Sequence, residues 1–174
     1  MRNWTRWGWM VGFWFVASAY ALPSEPFFQN SFLNLQEDAQ SAGKEGKIVA
    51  IFYEQEGCPY CDDWHRDTLS DPRVRSYLQA HFYAIAFDIF GAREVVDFQG
   101  KTTREKAFAR QEKVHLTPLV IFYSSRGEEL FRLAGVWRPP HFLATLEFVA
   151  GGLYRTGNLQ DYLRQKLLEK GQPP

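Results

Sequence analysis

The stretch QEGCPYCDDWH, residues 55–65, contains both cysteines of the 174-residue chain, Cys58 and Cys61. It overlaps the end of KIVAIFYEQ, residues 47–55, a nearly continuous apolar run that is typical of a strand buried on both faces of a sheet. From the cysteines onward, we expect a helix that continues to about Leu69. The sequence therefore predicts a strand that leads directly into a helix, with Cys58 at the helix N-terminus.

This placement favours redox chemistry at the two cysteines. Unpaired backbone N–H groups and the positive end of the helix dipole stabilise a thiolate at a helix N-terminus, and the thiolate is the nucleophile in disulfide exchange. We therefore expect Cys58 to attack or be attacked, and Cys61, almost one turn later and shielded by the helix, to resolve the mixed disulfide. Pro59 is tolerated in the first helical turn, and Tyr60 should stand exposed beside the sulfurs as a substrate contact.

Two other roles for the cysteine pair are possible. A structural disulfide stabilises a protein by closing a long loop, and the loop between Cys58 and Cys61 is very short. Zinc needs about four ligands, and only His65 joins the two cysteines locally. The other histidines are scattered along the chain: His81, His115 and His141. A redox pair is the favoured interpretation, and a metal site at Cys58, Cys61 and His65 is kept as an alternative.

The rest of the chain predicts alternating helices and strands. Apolar residues between Phe28 and Ala42 fall at helical spacing, and Asp71-Pro72 should open another helix as its N-cap and first-turn proline. HFYAIAFDIF, residues 81–90, is predicted as a second central strand. Residues 91–101 are predicted as a short hairpin or an extended excursion, and Thr102 with Glu105 suggests a capping box for a helix that runs through Val114.

The C-terminal third of the chain carries a strong hairpin pattern. PLVIFYSSRGEELFRLAG, residues 118–135, contains two apolar strands around a Ser-Ser-Arg-Gly turn. Pro139-Pro140 should start a closing helix with apolar positions to Leu153, and one further helix is expected around residues 159–167. Parallel strands need crossover helices, whereas a tight turn joins antiparallel ones. We therefore predict an α/β fold with a central mixed sheet and helices on both faces.

Thr117-Pro118 immediately precedes the first strand of this hairpin. A trans proline that starts a strand is one interpretation, because such a position loses only one ladder donor. The alternative is a cis proline that faces the cysteines and leaves the backbone of Thr117 free to pair with an extended substrate. The preceding Cys-x-x-Cys motif and the following hairpin favour the second interpretation.

These features resemble the thioredoxin superfamily over nearly the whole chain after the N-terminal segment. The resemblance is carried by CPYC at residues 58–61, LTPLVIFY at residues 116–123, the following hairpin and the terminal helix. Within the superfamily, the chain looks most similar to the secreted thioredoxin-related proteins of bacterial sulfur oxidation, the SoxW type. The resemblance implies Cys58 as attacking cysteine, Cys61 as resolving cysteine, Pro118 as cis proline and Thr117 as the backbone contact for substrate.

The chain departs from this family in two places. Pro59-Tyr60 is the dipeptide typical of glutaredoxins, and Phe52 occupies the position where cytosolic thioredoxins have a buried aspartate, the proton acceptor of the resolving cysteine. Glu54 and Glu56 are nearby alternative acids, although we expect them to be solvated at the end of the strand.

Three polar residues follow the cysteines on the predicted helix. Asp62, Asp63 and His65 are expected to form an exposed polar face of that helix.

The N-terminus has the pattern of a secretory signal. Arg2 and Arg6 precede an apolar run over residues 7–17, and Ala19-Tyr20-Ala21 provides a small-x-small cleavage site. A membrane-spanning helix needs about 20 apolar residues, so a retained anchor is the less favoured alternative. We predict a signal peptide at residues 1–21, a single domain at residues 22–174, and a periplasmic location in a Gram-negative host, where disulfides persist.

Charge and composition limit the classes of molecule that the protein is expected to bind. The 20 basic and 20 acidic residues balance, so there is no basic surplus that indicates nucleic-acid binding.

The sequence predicts a periplasmic thiol:disulfide oxidoreductase that reduces protein disulfides, with the Cys58–Cys61 disulfide as its redox group and no other cofactor. The resemblance implies a membrane electron donor of the DsbD/CcdA kind, and we expect a monomer because no heptad pattern is present. Alternatives are a disulfide-donating oxidase or isomerase, the metal carrier, and a redox-silent binding module.

Overall fold

A computed structural model of the protein describes residues 25–169, so the predicted signal peptide lies outside the described residues. The helices of this part are α1 (Leu35–Lys44), α2 (Pro59–Trp64), α3 (Pro72–His81), α4 (Glu105–Gln111), α5 (Pro139–Ala150) and α6 (Leu159–Glu169). The strands are β1 (Ile48–Glu54), β2 (Phe82–Asp88), β3 (Glu94–Val96), β4 (Thr102–Arg104), β5 (Leu119–Tyr123) and β6 (Glu129–Ala134). Helix α2 continues through a π-helical turn at His65–Leu69. None of the helices within residues 25–169 has the length and apolar character needed to cross a bilayer.

The central sheet has four strands in the order β2-β1-β5-β6. Strands β1 and β2 are parallel, whereas β1 pairs antiparallel with β5 and β5 pairs antiparallel with β6. The parallel pair is joined through α2 and α3, and the antiparallel pair through a tight turn, as the connection lengths require. This mixed sheet with helices on both faces confirms the predicted fold class.

Alternate residues of the central strands fill two separate cores. Val49, Ile51 and Tyr53 of β1 pack on the face covered by α1 and α4, whereas Ala50 and Phe52 pack on the face covered by α2, α3 and α5. This division follows from the alternation of side chains along a strand. Because both faces are covered, β1 is buried along nearly its whole length, as the apolar run predicts.

The first helix is shorter than the periodicity predicts. It begins at Leu35, where the side chain of Asn34 accepts a hydrogen bond from the backbone N–H of Glu37. Phe28 lies outside it and forms an isolated bridge with Ala84 of β2, and Phe32 is 96% exposed. The helical spacing of these two phenylalanines is therefore coincidental, because the asparagine cap sets the start of the helix.

The predicted capping box at Thr102 and Glu105 is wrong. Thr102 belongs to β4, which pairs with β3 in a short antiparallel hairpin, and this hairpin resolves the ambiguity of residues 91–101. Glu105 is buried, and its carboxylate accepts hydrogen bonds from the backbone N–H groups of Asp88 and Arg93 and from the Arg93 guanidinium. Helix α4 ends at Gln111 instead of continuing through Val114.

Other local predictions are confirmed. Asp71 caps α3 by accepting a hydrogen bond from the backbone N–H of Arg73, and Pro139 begins α5. The hairpin of β5 and β6 forms as predicted. The closing helix ends at Ala150, however, and Leu153 begins a separate 3₁₀ turn.

Candidate functional site

The cysteine pair lies at the carboxyl end of β1, where the chain turns into α2. Cys58 is the N-cap of α2 with an extended backbone, and Pro59 occupies the first helical turn. Cys58 and Cys61 form a disulfide whose Cα atoms are 5.3 Å apart. The predicted junction between strand and helix is therefore confirmed, and the two sulfurs are within bonding reach because they are separated by less than one helical turn.

The Thr117-Pro118 peptide lies against this disulfide and is cis. Its position follows from sheet pairing, because antiparallel pairing of Tyr53 with Leu119 brings the start of β5 to the end of β1. The hydroxyl of Thr117 donates a hydrogen bond to Sγ of Cys58 over 3.3 Å. The backbone N–H of Cys61 donates to the same sulfur over 3.2 Å.

The hydrogen bonds distinguish the two cysteines more clearly than their exposure does. Cys58 is 5% exposed and Cys61 is 3% exposed, so accessibility of the disulfide form alone does not identify an attacking sulfur. Within residues 25–169, however, both hydrogen bonds to a cysteine sulfur end on Cys58. Two donors stabilise a negative charge on that sulfur when the disulfide opens.

Exposed apolar side chains border the sulfurs. Tyr60, between the two cysteines, is 67% exposed, and Leu116, next to Thr117, is 50% exposed. The backbone N–H and C=O of Thr117 make no backbone hydrogen bond within the described part of the chain. The structure thus presents two exposed apolar side chains and, at Thr117, backbone groups without backbone partners beside the disulfide.

Phe52 is part of an aromatic cluster beneath α2. Its ring centroid lies 5.6 Å from that of Trp64, 5.2 Å from that of Phe28 and 6.5 Å from that of Phe142. All of these residues except Phe28 are fully buried. The strand position that holds an acid in cytosolic thioredoxins is therefore filled by apolar packing in this protein.

A buried acid, Glu54, lies two residues after Phe52 on the same face of β1. The expectation that Glu54 is solvated is wrong, because it is 1% exposed. Its carboxylate oxygens lie 2.8 and 3.0 Å from Nε2 of His65. The expectation that His65 belongs to an exposed face is also wrong, since it is buried and its Nδ1 lies 3.1 Å from Glu25.

The remaining polar expectations near the motif are confirmed. Glu56 and Asp62 are exposed. Asp63 forms an ion pair of 2.6 Å with Arg66 on the outer surface of the helix. The polar face of the helix thus consists of the aspartates, whereas His65 points inward.

The surroundings of His65 raise its pKa. Burial disfavours the imidazolium and lowers the pKa, but the hydrogen bond and charge of Glu54, followed by those of Glu25, outweigh burial. Each ring nitrogen lies within hydrogen-bond distance of a carboxylate, an arrangement that favours the doubly protonated ring, which can donate from both nitrogens. Sequence reasoning missed this group, although Glu54 shares a strand face with Phe52 and His65 follows Cys61 by four residues.

The alternative metal site required His65 beside the two cysteines. Both ring nitrogens of His65 are instead engaged by carboxylates. Within residues 25–169, no three or more histidine, cysteine, aspartate or glutamate side chains are arranged to hold a metal ion.

Comparison with known proteins agrees with this architecture. The family model of the thioredoxin-like domain matches residues 35–150, which is more than half of the chain. No curated protein sequence matches this chain.

Solved structures share the fold. A thioredoxin-fold protein from Helicobacter pylori is 23% identical, with a TM-score of 0.60 over 78% of this chain and 96% of that one. A thioredoxin from Thermus thermophilus is 28% identical, with a TM-score of 0.53 over 67% and 83% of the two chains. A DsbH oxidoreductase is 17% identical, with a TM-score of 0.51 over 77% and 92%. The family model and the shared fold lead to the same conclusion: this chain belongs to the family of proteins with a thioredoxin-like domain.

Proposed function

We propose that this protein is a periplasmic thiol:disulfide oxidoreductase that reduces disulfides of other proteins. The observation that carries the proposal is the Cys58–Cys61 disulfide at a strand-to-helix junction, with the cis Thr117-Pro118 peptide against it and the Thr117 hydroxyl bonded to Cys58. A purely structural disulfide would add little stability to the fold, because it closes so short a loop. Exchange chemistry, in contrast, needs two sulfurs that alternate between bonding to each other and to a substrate.

In the proposed cycle, the Cys58 thiolate attacks one sulfur of a substrate disulfide. A bond forms between Cys58 and that sulfur, the substrate S–S bond breaks, and the second substrate sulfur leaves as a thiolate that takes up a proton. Cys61 then loses its proton and attacks Cys58, which releases the first substrate sulfur as a thiol and forms the Cys58–Cys61 bond. Two electrons pass from the dithiol to the substrate.

Substrate contact is assigned to the surface beside the sulfurs. The free backbone groups of Thr117 suit an extended peptide, which would pair with them as an added strand. The exposed ring of Tyr60 and the exposed Leu116 would cover apolar side chains on either side of the substrate cysteine. Pro118, which has no N–H to donate, is assigned a supporting role in this substrate contact.

A reductase in the periplasm must itself be reduced again. We assign this role to a membrane electron donor of the DsbD/CcdA kind, because a compartment that keeps disulfides oxidised offers no obvious soluble reductant. The sequence resemblance to the SoxW type further suggests that the substrates belong to bacterial sulfur oxidation. Release of a protein that begins at Leu22 into the periplasmic fraction would support the predicted signal peptide.

Activity and trapping test the proposal. The wild-type protein should accelerate reduction of insulin by dithiothreitol, and Cys58→Ser should abolish the acceleration. Cys61→Ser should retain substrates from a periplasmic extract as mixed disulfides on Cys58, with the Cys58→Ser/Cys61→Ser protein as matched control. Insulin reduction that persists without Cys58 would refute the assignment.

The reduction potential determines the direction of electron flow. A value near that of thioredoxin, about −270 mV, is expected for a reductase. A value near that of DsbA, about −120 mV, would instead identify a disulfide donor.

A further inference from the structure

A largely buried group of charged side chains surrounds His65, the residue that directly follows the cysteine helix α2. Nε2 of His65 contacts Glu54 of β1, and Nδ1 of His65 contacts Glu25 of the N-terminal segment. Arg75 of α3 completes the group with an ion pair of 2.7 Å to Glu25. Within residues 25–169, Glu54 and Glu25 are the carboxylates paired with His65, and Arg75 is paired with Glu25. Both ring nitrogens of His65 are occupied, so the imidazolium is held in one orientation.

His65 is also the neighbour of Cys61 on the same side of the helix. The backbone N–H of His65 donates to the carbonyl of Cys61, so the helical turn between them is intact before the π-helical turn begins. Side chains four residues apart on such a turn have Cβ atoms about 5–6 Å from each other. Both side chains face inward, since Cys61 is 3% and His65 is 6% exposed. Charges on buried groups are screened by solvent much less than charges at the surface.

We propose that His65 is a positioning residue for the second half of the exchange cycle, where its imidazolium stabilises the thiolate of Cys61. This inference rests on the proposed function and deepens it. Cytosolic thioredoxins have a buried acid that accepts the proton of the resolving thiol, and this protein has Phe52 at that position. The positive charge of the His65 imidazolium, one helical turn after Cys61, makes loss of the thiol proton easier. Glu54 and Glu25 keep the imidazolium charged, and Arg75 orients Glu25.

The chemical step is the attack of Cys61 on the mixed disulfide. Cys61 loses its proton to solvent, its thiolate forms a bond with Sγ of Cys58, and the bond between Cys58 and the substrate sulfur breaks. The departing substrate thiolate takes up a proton. His65 exchanges neither proton nor electron in this step and acts only through its charge.

The pKa of Cys61 measures this role without any turnover. The chain has two cysteines, so Cys58→Ser leaves Cys61 as the single thiol, and thiolate absorbance in the ultraviolet reports its titration alone. Adding His65→Gln to this protein should raise the Cys61 pKa by roughly 1 to 2 pH units, as expected for loss of an opposite charge at this range. His81→Gln is the matched control, because His81 is exposed on α3 and should leave the titration unchanged.

A second measurement needs no substitution at His65. Coupling between two titrating groups is reciprocal, so the Cys61 thiolate must raise the pKa of His65 by as much as the imidazolium lowers that of Cys61. Nuclear magnetic resonance of the His65 ring should therefore show a higher pKa in the Cys58→Ser protein than in Cys58→Ser/Cys61→Ala. Equal His65 pKa values in these two proteins, or an unchanged Cys61 pKa in His65→Gln, would overturn the inference.

Two kinetic phases separate this inference from the proposed function. When reduced wild-type protein reacts with dithiobisnitrobenzoate, the first nitrothiobenzoate is released by attack of the reactive cysteine and the second by resolution. His65→Gln should slow the second phase about tenfold or more at neutral pH, given the pKa shift above, and leave the first phase intact. A missing first phase in the wild type would refute the proposed function, whereas a second phase of wild-type rate in His65→Gln would refute the role of His65.

Discussion

Thr117 donates its hydroxyl hydrogen bond to the sulfur of Cys58 across 3.3 Å, although 59 residues separate the two in sequence. The contact joins the loop before β5 to the N-cap of α2, and it is one of two hydrogen bonds that the sulfur of Cys58 receives within residues 25–169. A hydrogen bond to a thiolate is stronger than one to a disulfide sulfur, because the acceptor is charged. The Thr117 hydroxyl should therefore favour the reduced form.

Thr117→Val tests this contact with a side chain of nearly the same shape. Loss of a hydrogen bond of about 1 kcal/mol should shift the reduction potential by roughly 20 mV towards more negative values. The pKa of Cys58 should rise in parallel. Equilibration with glutathione measures the potential, and a shift to less negative values would contradict the assigned direction. Thr117→Ser keeps the hydroxyl and is the matched control.

His65 should make the stability of the protein depend on pH. Its pKa in the folded protein is raised above the ordinary value of 6.5, because Glu54 and Glu25 outweigh the effect of burial. A raised pKa means that the folded state binds the proton more tightly, so the stabilisation is complete below about pH 6.5 and is lost as the pH rises through the folded pKa. Urea unfolding on both sides of pH 6.5 should show this loss.

His65→Gln should remove that part of the pH dependence. The free energy of unfolding of the variant should differ most from that of the wild type at low pH and approach it at high pH. His81→Gln should follow the wild-type curve, because His81 is exposed. A variant curve that runs parallel to the wild type at every pH would show that the charge of His65 does not stabilise the fold.

Trp64 should report the redox state of the cysteines through its fluorescence. It lies three residues after Cys61, is 1% exposed, and packs with ring centroids 5.6 Å from Phe52 and 5.1 Å from Phe142. We expect a clear change in emission when dithiothreitol reduces the disulfide. Trp64→Phe should abolish the change and Trp137→Phe should preserve it. If Trp137→Phe abolished the change in emission and Trp64→Phe preserved it, Trp137 would be the residue that reports the redox state.

Gly91 and Glu105 should be coupled in stability. A Cβ at position 91 would collide with the Glu105 carboxylate, which itself accepts hydrogen bonds from the N–H groups of Asp88 and Arg93. Gly91→Ala should cost about 1–3 kcal/mol through overpacking, and Glu105→Ala a similar amount through unpaired donors.

The double variant Gly91→Ala/Glu105→Ala should cost less than the two changes together, because removal of the carboxylate makes room for the methyl group. Urea unfolding of the four proteins measures the coupling, which should be at least about 0.5 kcal/mol. Strict additivity would show that residue 91 does not meet the carboxylate.

Predictions from sequence were most successful where the signal was local. The apolar run of β1, the proline and aspartate at the start of α3, and the turn between β5 and β6 each determine a short segment by its own chemistry. The same holds for Cys58 at the helix N-terminus, since the strand, the glycine and the proline of the motif adjoin it. Together these segments were sufficient to predict the fold class and the cysteine site.

The sequence-based predictions that were wrong share a different cause. Glu54 and His65 look like surface residues when each is considered with its sequence neighbours, and Thr102 with Glu105 looks like a helix cap. Tertiary packing brings Glu25 to His65 across 40 residues and the N–H of Asp88 to Glu105 across 17. A charged side chain at a partly apolar position is buried when a distant partner satisfies its hydrogen bonds. No local pattern identifies that partner.

The sequence by itself determined that two cysteines stand at the start of a helix in a mixed α/β fold, because helix caps, strand patterns and turns act over a few residues. Only the tertiary structure decided what surrounds the sulfurs. Antiparallel pairing of β5 with β1 brought Thr117 to Cys58, and the N-terminal segment and α3 placed Glu25 and Arg75 beside His65. Such contacts depend on how elements far apart in the chain meet, and burial makes the electrostatic effect of each much larger than it would be in water.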